Sequence, residues 1–535
     1  MRLLFGLIGT VLLISCSTRD AELFNEDRYR EHIKVLASDE FEGRAPASAG
    51  EVKTINYLSE QFAALGIPGA NNGSYTQGVP LTSLEVTNKP VLKIHGQGEH
   101  AEYAYQQDFM VASFQQQARI GLDSELVFVG YGINAPERNW NDYEGLDVKG
   151  KTVIVLVNDP GFATQDPAIF NGNAMTYYGR WTYKYEEAAR QGAAAAIIVH
   201  ETAPASYPWS VVTGSWSGKQ FDIQREDGGK NLLKAEAWIN IDTAQQVFGM
   251  AGMDFNKLKL AAQQPGFRAV NLNLRAQTEL EMAIEHTASN NIAAYIEGSE
   301  KPDEVFIFTA HWDHLGVNPQ LEGDQIYNGA IDNATGTAAL LELAAAYKND
   351  KTPPKRSVLF LAVTAEEQGL LGSNYYAEFP LFPIEKTVAG LNMDALRAIG
   401  PVKDVVVMGY GFSDLDNYLK DAAVQLDREI LPDDKPQNGY YFRSDHFELA
   451  KKGVPMIYAR GGINHLEKGP EYGKEMSQAY SENEYHQVSD EYREDWDLRG
   501  ALRDLELYYR TSRLIVDGDN WPAWSEGSEF KKLRP

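Results

Sequence analysis

The chain has 535 residues, more than one ordinary hydrophobic core organises, which points to two or more domains. Its 75 acidic side chains outnumber 49 basic ones, and the resulting formal charge of -26 repels phosphate backbones and excludes nucleic acid as a partner. Hydrophobic residues make up 43% of the chain, enough for packed interiors, and no long stretch is poor enough in apolar residues to read as disordered.

Met1-Arg2 gives a positive start, and Leu3 to Ile14 is an apolar run broken only by Gly6, Gly9 and Thr10. That run is too short to cross a bilayer but suits the core of an export signal. It ends in Leu13-Ile14-Ser15-Cys16, which resembles a bacterial lipobox. The expectation is a signal peptide over 1–15 and a lipidated Cys16 that tethers an exported, soluble body to a membrane. The outer membrane, facing the periplasm or the cell surface, is the expected location. Cys16 is the only cysteine, so an intramolecular disulfide is impossible.

Asp27 to Leu65 reads as mainly helical, with a break around 38–44. Val52, Ile55, Leu58, Phe62 and Leu65 define an apolar helix face, and Gly66 stands where a C-terminal cap belongs. From Gly121 to Ile284 the texture changes. Glu125 to Tyr131 and Lys151 to Val157 are strand-like, Tyr183 to Gly192 reads as a helix, and Ala193 to Val199 as another buried strand. His200 reads as a strand-end residue, not a ligand. This βαβ-like stretch, with Gly-Leu-Asp-Val-Lys-Gly-Lys at 145–151, resembles a protease-associated (PA) domain. The expected division is therefore 16–120 as the N-terminal part of a catalytic domain, 121–285 as an inserted PA domain, and 286–535 as the main catalytic part.

From Asn290 onward strands and helices alternate. Strands are expected at Val305 to Thr309, Ser357 to Val363, Thr387 to Leu391, Val405 to Met408 and Val454 to Tyr458. An alanine- and leucine-rich helix is expected at Ala334 to Tyr347, and another near Leu370 to Ala377. Such alternation predicts an α/β fold with a mixed, mostly parallel sheet flanked by helices. No later segment looks transmembrane.

Sites in open α/β sheets form at the carboxyl ends of the strands. Here those ends read Ala310-His311-Trp312-Asp313-His314, Thr364-Ala365-Glu366-Glu367 and Asn392-Met393-Asp394, while Gly329-Ala330-Ile331-Asp332-Asn333 precedes the long helix. Zinc takes imidazole nitrogen and carboxylate oxygen, and a pair of close metals needs a carboxylate able to bridge them. His311-x-Asp313 has the look of a ligand followed by the carboxylate that orients its ring. The adjacent Glu366 and Glu367 can divide the work between base and ligand.

These motifs, with Val35-Leu-Ala-Ser-Asp-Glu-Phe-Glu-Gly-Arg44, Phe442-Arg-Ser-Asp-His446 and Tyr485-His486, resemble the co-catalytic zinc aminopeptidases of peptidase family M28, in the branch with an inserted PA domain. The resemblance implies two zinc ions per chain. Asp332 would bridge them, His311 and Asp394 would complete one site, and Glu367 and His486 the other. Glu366 would be the general base and Asp313 the brace of His311; a cis peptide bond would follow Asp332. The implied substrates are peptides with a free N-terminus. Oligomeric state is not implied.

The alternatives are a glutaminyl cyclase-like enzyme with one zinc, a receptor-like protein without catalysis, and a carboxypeptidase of acidic peptides. Arginines converging on the pocket would mark the last, with Arg443 and Arg460 as candidates against surface or packing roles. Ser444-Asp445-His446 reads as pocket lining or support, not as a nucleophilic triad, because triad members are set by geometry and not by adjacency. His314 reads as a loop packing residue, and His465 as part of a flexible loop near the pocket. His32, His95, His100 and His286 lack partners at useful spacing.

Overall fold

The computed structural model describes residues 23–534. The expected export signal and Cys16 lie outside the described residues. Among those described, no helix is long and apolar enough to cross a membrane.

The fold is mixed α/β, with a large, mostly parallel central sheet flanked by helices. Strand Lys301–His311 pairs in parallel with Arg356–Val363 on one side and Thr387–Asn392 on the other, and Thr387–Asn392 continues in parallel to Met456–Gly461. Strand Asp404–Met408 joins Met456–Gly461 antiparallel and is edged by Glu429–Pro432. Period-two alternation sends side chains to two cores. Phe306, Phe308 and Phe360 face one, under helices Glu26–Leu36, Thr335–Asn349 and Arg499–Val516; Val305, Ile307, Leu359 and Leu361 face the other. Helix Thr335–Asn349 packs between the sheet and helix Glu26–Leu36, with Arg499–Val516 beside it on the sheet, and its residues from Thr335 to Tyr347 are all buried. Alanine suits that position because every face must pack.

A second sheet is built by Arg119–Phe128, Thr152–Leu156, Ala195–Val199 and Ala235–Ile239, all parallel, over apolar cores of its own. One strand, Val270–Ile296, belongs to both sheets: its first half pairs with Arg119–Phe128, its second with Thr76–Val86 and Arg356–Val363. At the other seam, Tyr177 of the second layer packs against Phe442, Phe447 and Phe530.

Several expectations change. The division at 120/121 falls inside strand Arg119–Phe128, and Val91–Gly96, Glu99–Ala104 and Phe109–Ala112 pair into the second sheet. Val91–Gly96 alternates exposed with buried side chains and Glu99–Ala104 buries only Tyr103, so both leave little apolar signal. The helix expected from Val52 begins at Ala49, and Val52 is 59% exposed, so it does not join the buried face of Leu58 and Phe62. Gly66 does adopt the left-handed conformation of a cap. His200 is buried at a strand end, with Nε2 against the Tyr207 carbonyl oxygen at 3.0 Å.

Candidate metal centre

Three parallel strands end side by side, and their last residues face the loop before helix Thr335–Asn349. That loop is held by Asn333, whose Oδ1 accepts from Gly336 N (3.0 Å) and Ala395 N (3.2 Å), while Nδ2 donates to Met393 O at 3.0 Å. A Cβ on Gly336 would stand 2.3 Å from Asn333 Oδ1, so only glycine fits there. The Asp332–Asn333 peptide is cis. Ala365, Ala395 and His486 all have positive φ, so backbone strain sits beside three of the expected site residues.

The structure brings all five expected ligands together. His311 Nε2 lies 3.2 Å from Asp332 Oδ1 and 3.6 Å from Asp394 Oδ1. His486 Nε2 lies 3.2 Å from both Asp332 Oδ2 and Glu367 Oε2. Two donor sets, one around each histidine, thus share Asp332, one carboxylate oxygen in each, and His311, Asp332 and Glu367 also have donor atoms within 4.8 Å of one another. Zinc bonds of about 2.0–2.2 Å at tetrahedral angles put neighbouring donors about 3.3 Å apart, so the residues present fit a pair of such ions. Glu366 also has a carboxylate oxygen within 4.8 Å of donor atoms of His311 and Asp394.

Asp313 differs from its expected role. The His311 Nδ1 partner is the backbone oxygen of Asp313 at 3.1 Å, with the carboxylate at 3.9 Å. That carboxylate instead accepts from the amides of Glu366 (3.1 Å) and Glu367 (3.4 Å), and so fixes the turn that carries the expected base and an expected ligand. His314 differs too: Nδ1 lies 2.6 Å from Glu367 Oε1, so it orients an expected ligand and does not merely pack. Its place three residues after His311 was the available signal.

Electrostatics bind the cluster. Burial opposes charge on Glu367, as does Asp332, yet His314 and His486 hold its pKa down to about 2. Burial would lower His311, but Glu366, Asp332 and Asp394 raise it well above its ordinary value. Burial, with repulsion from Glu367, Asp445 and Asp394, raises Glu366 well above the usual carboxylate range.

Ser444-Asp445-His446 forms no triad. Ser444 Oγ accepts from Asn392 Nδ2 at 2.7 Å. The Asp445 oxygens and both ring nitrogens of His446 are buried without partners. The His446 ring packs between Tyr441 and Tyr458, at 4.6 and 4.7 Å, and burial lowers its pKa to about 3. The unfolded chain takes up a proton on this ring below about pH 6.5, while the folded one does not until about pH 3. Stability contributed by this ring is therefore lost as pH falls through that window, by at most about 1.4 kcal/mol per pH unit. In urea unfolding at pH 7 and pH 5, His446→Phe should show a smaller acid loss than the wild type; equal losses would contradict a neutral buried ring. His465 is buried and fixed, its Nδ1 accepting from the amides of Glu467 and Lys468.

A cavity of about 330 Å³ opens on Asp332, Glu366, Asp394 and His486 and is also lined by Arg397, Arg443 and Arg460. A groove of about 600 Å³ reaches Glu366 and His486 from the other side, with Arg180, Trp216 and Trp238 of the second layer as its wall. Sequence reading placed Arg443 and Arg460 at a pocket only as one option; it missed Arg180 and Arg397.

Residues 291–509, which include every expected ligand and Glu366, match the model of Peptidase family M28. A probable zinc metalloprotease of Pyrenophora teres f. teres (strain 0-1) is 35% identical over 120 residues, 22% of this chain and 24% of that protein. Aminopeptidase NAALADL1 of Mus musculus is 33% identical over 160 residues, covering 26% and 20%. The chain thus spans about a quarter or less of the length of these curated relatives. Among solved structures, an aminopeptidase from Aneurinibacillus sp. strain AM-1 aligns over 93% of this chain and 95% of that one, at 18% identity and a TM-score of 0.48.

Proposed function

We propose that this protein is a zinc-dependent exopeptidase of the aminopeptidase type, which hydrolyses the N-terminal peptide bond of peptides with two co-catalytic zinc ions. The observation that carries this reading is the pair of donor sets sharing Asp332, with the Glu366 carboxylate beside them at a cavity mouth. His311 and Asp394 complete one site, Glu367 and His486 the other. Zinc bound there would polarise the scissile carbonyl and lower the pKa of water. Glu366 takes the proton from the attacking water and returns it to the leaving amine. Asp313 holds Glu366 in place through the backbone amide. The neighbouring carboxylates suit a substrate ammonium group and so favour cleavage after the first residue.

In the same reading, residues 1–15 are an export signal and Cys16 carries the lipid that anchors the enzyme, in the outer membrane facing the periplasm or the cell surface. The second layer is an inserted PA domain forming one wall of the substrate groove. The test is metal content alongside hydrolysis of aminoacyl and N-blocked peptides, before and after chelation. Two zinc ions with chelator-sensitive cleavage of free-amine substrates only is the expected result. One zinc with cyclisation of N-terminal glutamine, or no turnover, would replace this reading by the cyclase-like or receptor-like one.

A second reading, the carboxypeptidase of acidic peptides, has its own support. Arg397, Arg443 and Arg460 line the cavity, and none forms an ion pair among the described residues. Arg443 Nε and Nη2 are buried without a partner. Two bound zinc ions would neutralise Asp394, a counter-charge to Arg460, and leave Asp433 near Arg460 and Asp404, Asp434 and Asp504 near Arg397 as the remaining acidic neighbours, so a substrate anion would add to this compensation. Arg460→Gln should therefore lower kcat/KM for substrates bearing Asp or Glu by roughly tenfold more than for their Asn or Gln counterparts. Equal losses would discard the acidic-substrate reading. Comparing free with amidated C-termini tells a side-chain carboxylate from a terminal one.

A further inference from the structure

The loop that delivers Asp332 is gripped on both sides by charged groups from distant parts of the chain. On one side stands Arg44, fully buried, whose guanidinium donates to four carbonyl oxygens: Trp312 (2.9 Å), Leu36 (2.6 Å), Asn328 (2.6 Å) and Gly329 (2.8 Å). Among the described residues no carboxylate bonds to it directly. Asn328 adds Nδ2 bonds to Ala37 O (2.8 Å) and Asp39 Oδ1 (2.9 Å) of the same N-terminal turn. On the other side stands Asp490, also buried, accepting from Ile331 N (2.9 Å) and Asp332 N (3.0 Å), while its own carbonyl accepts from Ala330 N at 3.0 Å. The arginine holds the loop by its carbonyls, the aspartate by its amides.

The turn that delivers Arg44 is built at a cost. Glu42, Gly43 and Arg44 all have φ between 50° and 62°, the left-handed region that non-glycine residues rarely adopt. A Cβ on Gly43 would stand 2.5 Å from Tyr327 O and 2.6 Å from Gly316 O, so the turn presses directly against the segment entering the loop. Strain of this kind persists where surrounding contacts over-determine it.

We propose that Arg44 and Asp490 are positioning residues of the metal centre, which together hold the 328–332 loop in its ligand-ready shape before a cation arrives. This rests on the two-zinc reading. Partners one step behind metal ligands are worth roughly 10–100-fold in affinity, and a loop carrying the shared carboxylate passes that loss to both sites.

The experiment is zinc titration of metal-free wild type, Asp490→Asn and Arg44→Lys, with circular dichroism and thermal unfolding of each. Asparagine keeps the size of aspartate but can accept with only one oxygen. Lysine keeps the charge but cannot reach four carbonyls in a fork. Arg356→Lys is the control: Arg356 is equally buried and grips Ile515 O, Gly518 O and Asp519 O, with Glu304 as an added carboxylate partner, at the amino end of its strand, away from the expected ligands.

The expected result is a roughly 10–100-fold weaker affinity at both sites in the two loop variants, with turnover returning towards wild type at saturating zinc. The control should lose stability and keep its zinc affinity. Because both residues grip one segment, the double variant should lose less than the summed losses. Unchanged affinity in folded Asp490→Asn would overturn the proposal. So would weakening of one ion alone, which would mean that Asp490 acts through His486, four residues upstream. A wild type that binds no zinc would overturn the two-zinc reading, and the clamp with it.

Discussion

Glu366→Gln is expected to keep its full zinc content and to lose at least roughly 10²-fold in turnover. In the proposed ligand assignment Glu366 is not needed by either donor set, so the amide would leave both sets intact. Its side chain nonetheless lines both the cavity and the interlayer groove, where a substrate can reach it. Glutamine keeps the shape and removes the proton acceptor. Metal analysis of the purified variant and its rate on a free-amine peptide give the two readouts. Full activity would remove Glu366 from the mechanism. A drop in zinc would instead make it a ligand, a role its closeness to His311 and Asp394 leaves geometrically open.

Asp332→Ala should remove both zinc ions together and abolish turnover. One oxygen of this carboxylate faces His311 and the other faces His486, so neither donor set survives its loss. Losing a direct, shared ligand should exceed the roughly 10–100-fold typical of residues behind ligands. The same carboxylate offsets the positive histidines of the metal-free protein, so thermal stability should fall even in the presence of chelator. One zinc bound with normal affinity would refute the bridging role. His486→Ala makes the contrast: it touches one donor set only and should spare the other ion.

Three of the five candidate ligands stood out in the sequence because strand ends are legible, and Asp332 stood out as the loop residue before the long helix. A β-branched or aromatic run followed at once by His311, Glu367 or Asp394 carries both the element and its exit point. His486 follows no strand and was placed by resemblance alone. What stayed hidden was the support. Arg44 looks like any surface arginine until its four carbonyl partners, up to 285 positions away, are folded around it. Asp490 sits in a run of acidic residues near His486 whose other members, Glu491, Glu494 and Asp495, are exposed. Asp313 was read as a ring brace because side-chain spacing cannot show that a backbone carbonyl has taken the job. The edge of the second sheet was missed because its first strands are short and half polar, whereas Val270–Ile296 continues through two sheets with no turn residue to mark the passage.

Chain order gives the interrupted architecture a temporal meaning. Every strand of the second sheet, from Val91 to Ile239 and on into Val270–Ile296, leaves the ribosome before His311, the earliest ligand. Domains tend to fold as units in the order they emerge. The groove wall that carries Arg180 and Trp238 can therefore stand complete while the metal centre is still unmade. Arg44 is translated long before the loop it grips, and Asp490 long after. In the proposed reading, the nascent chain acquires its groove wall first and its candidate metal centre last.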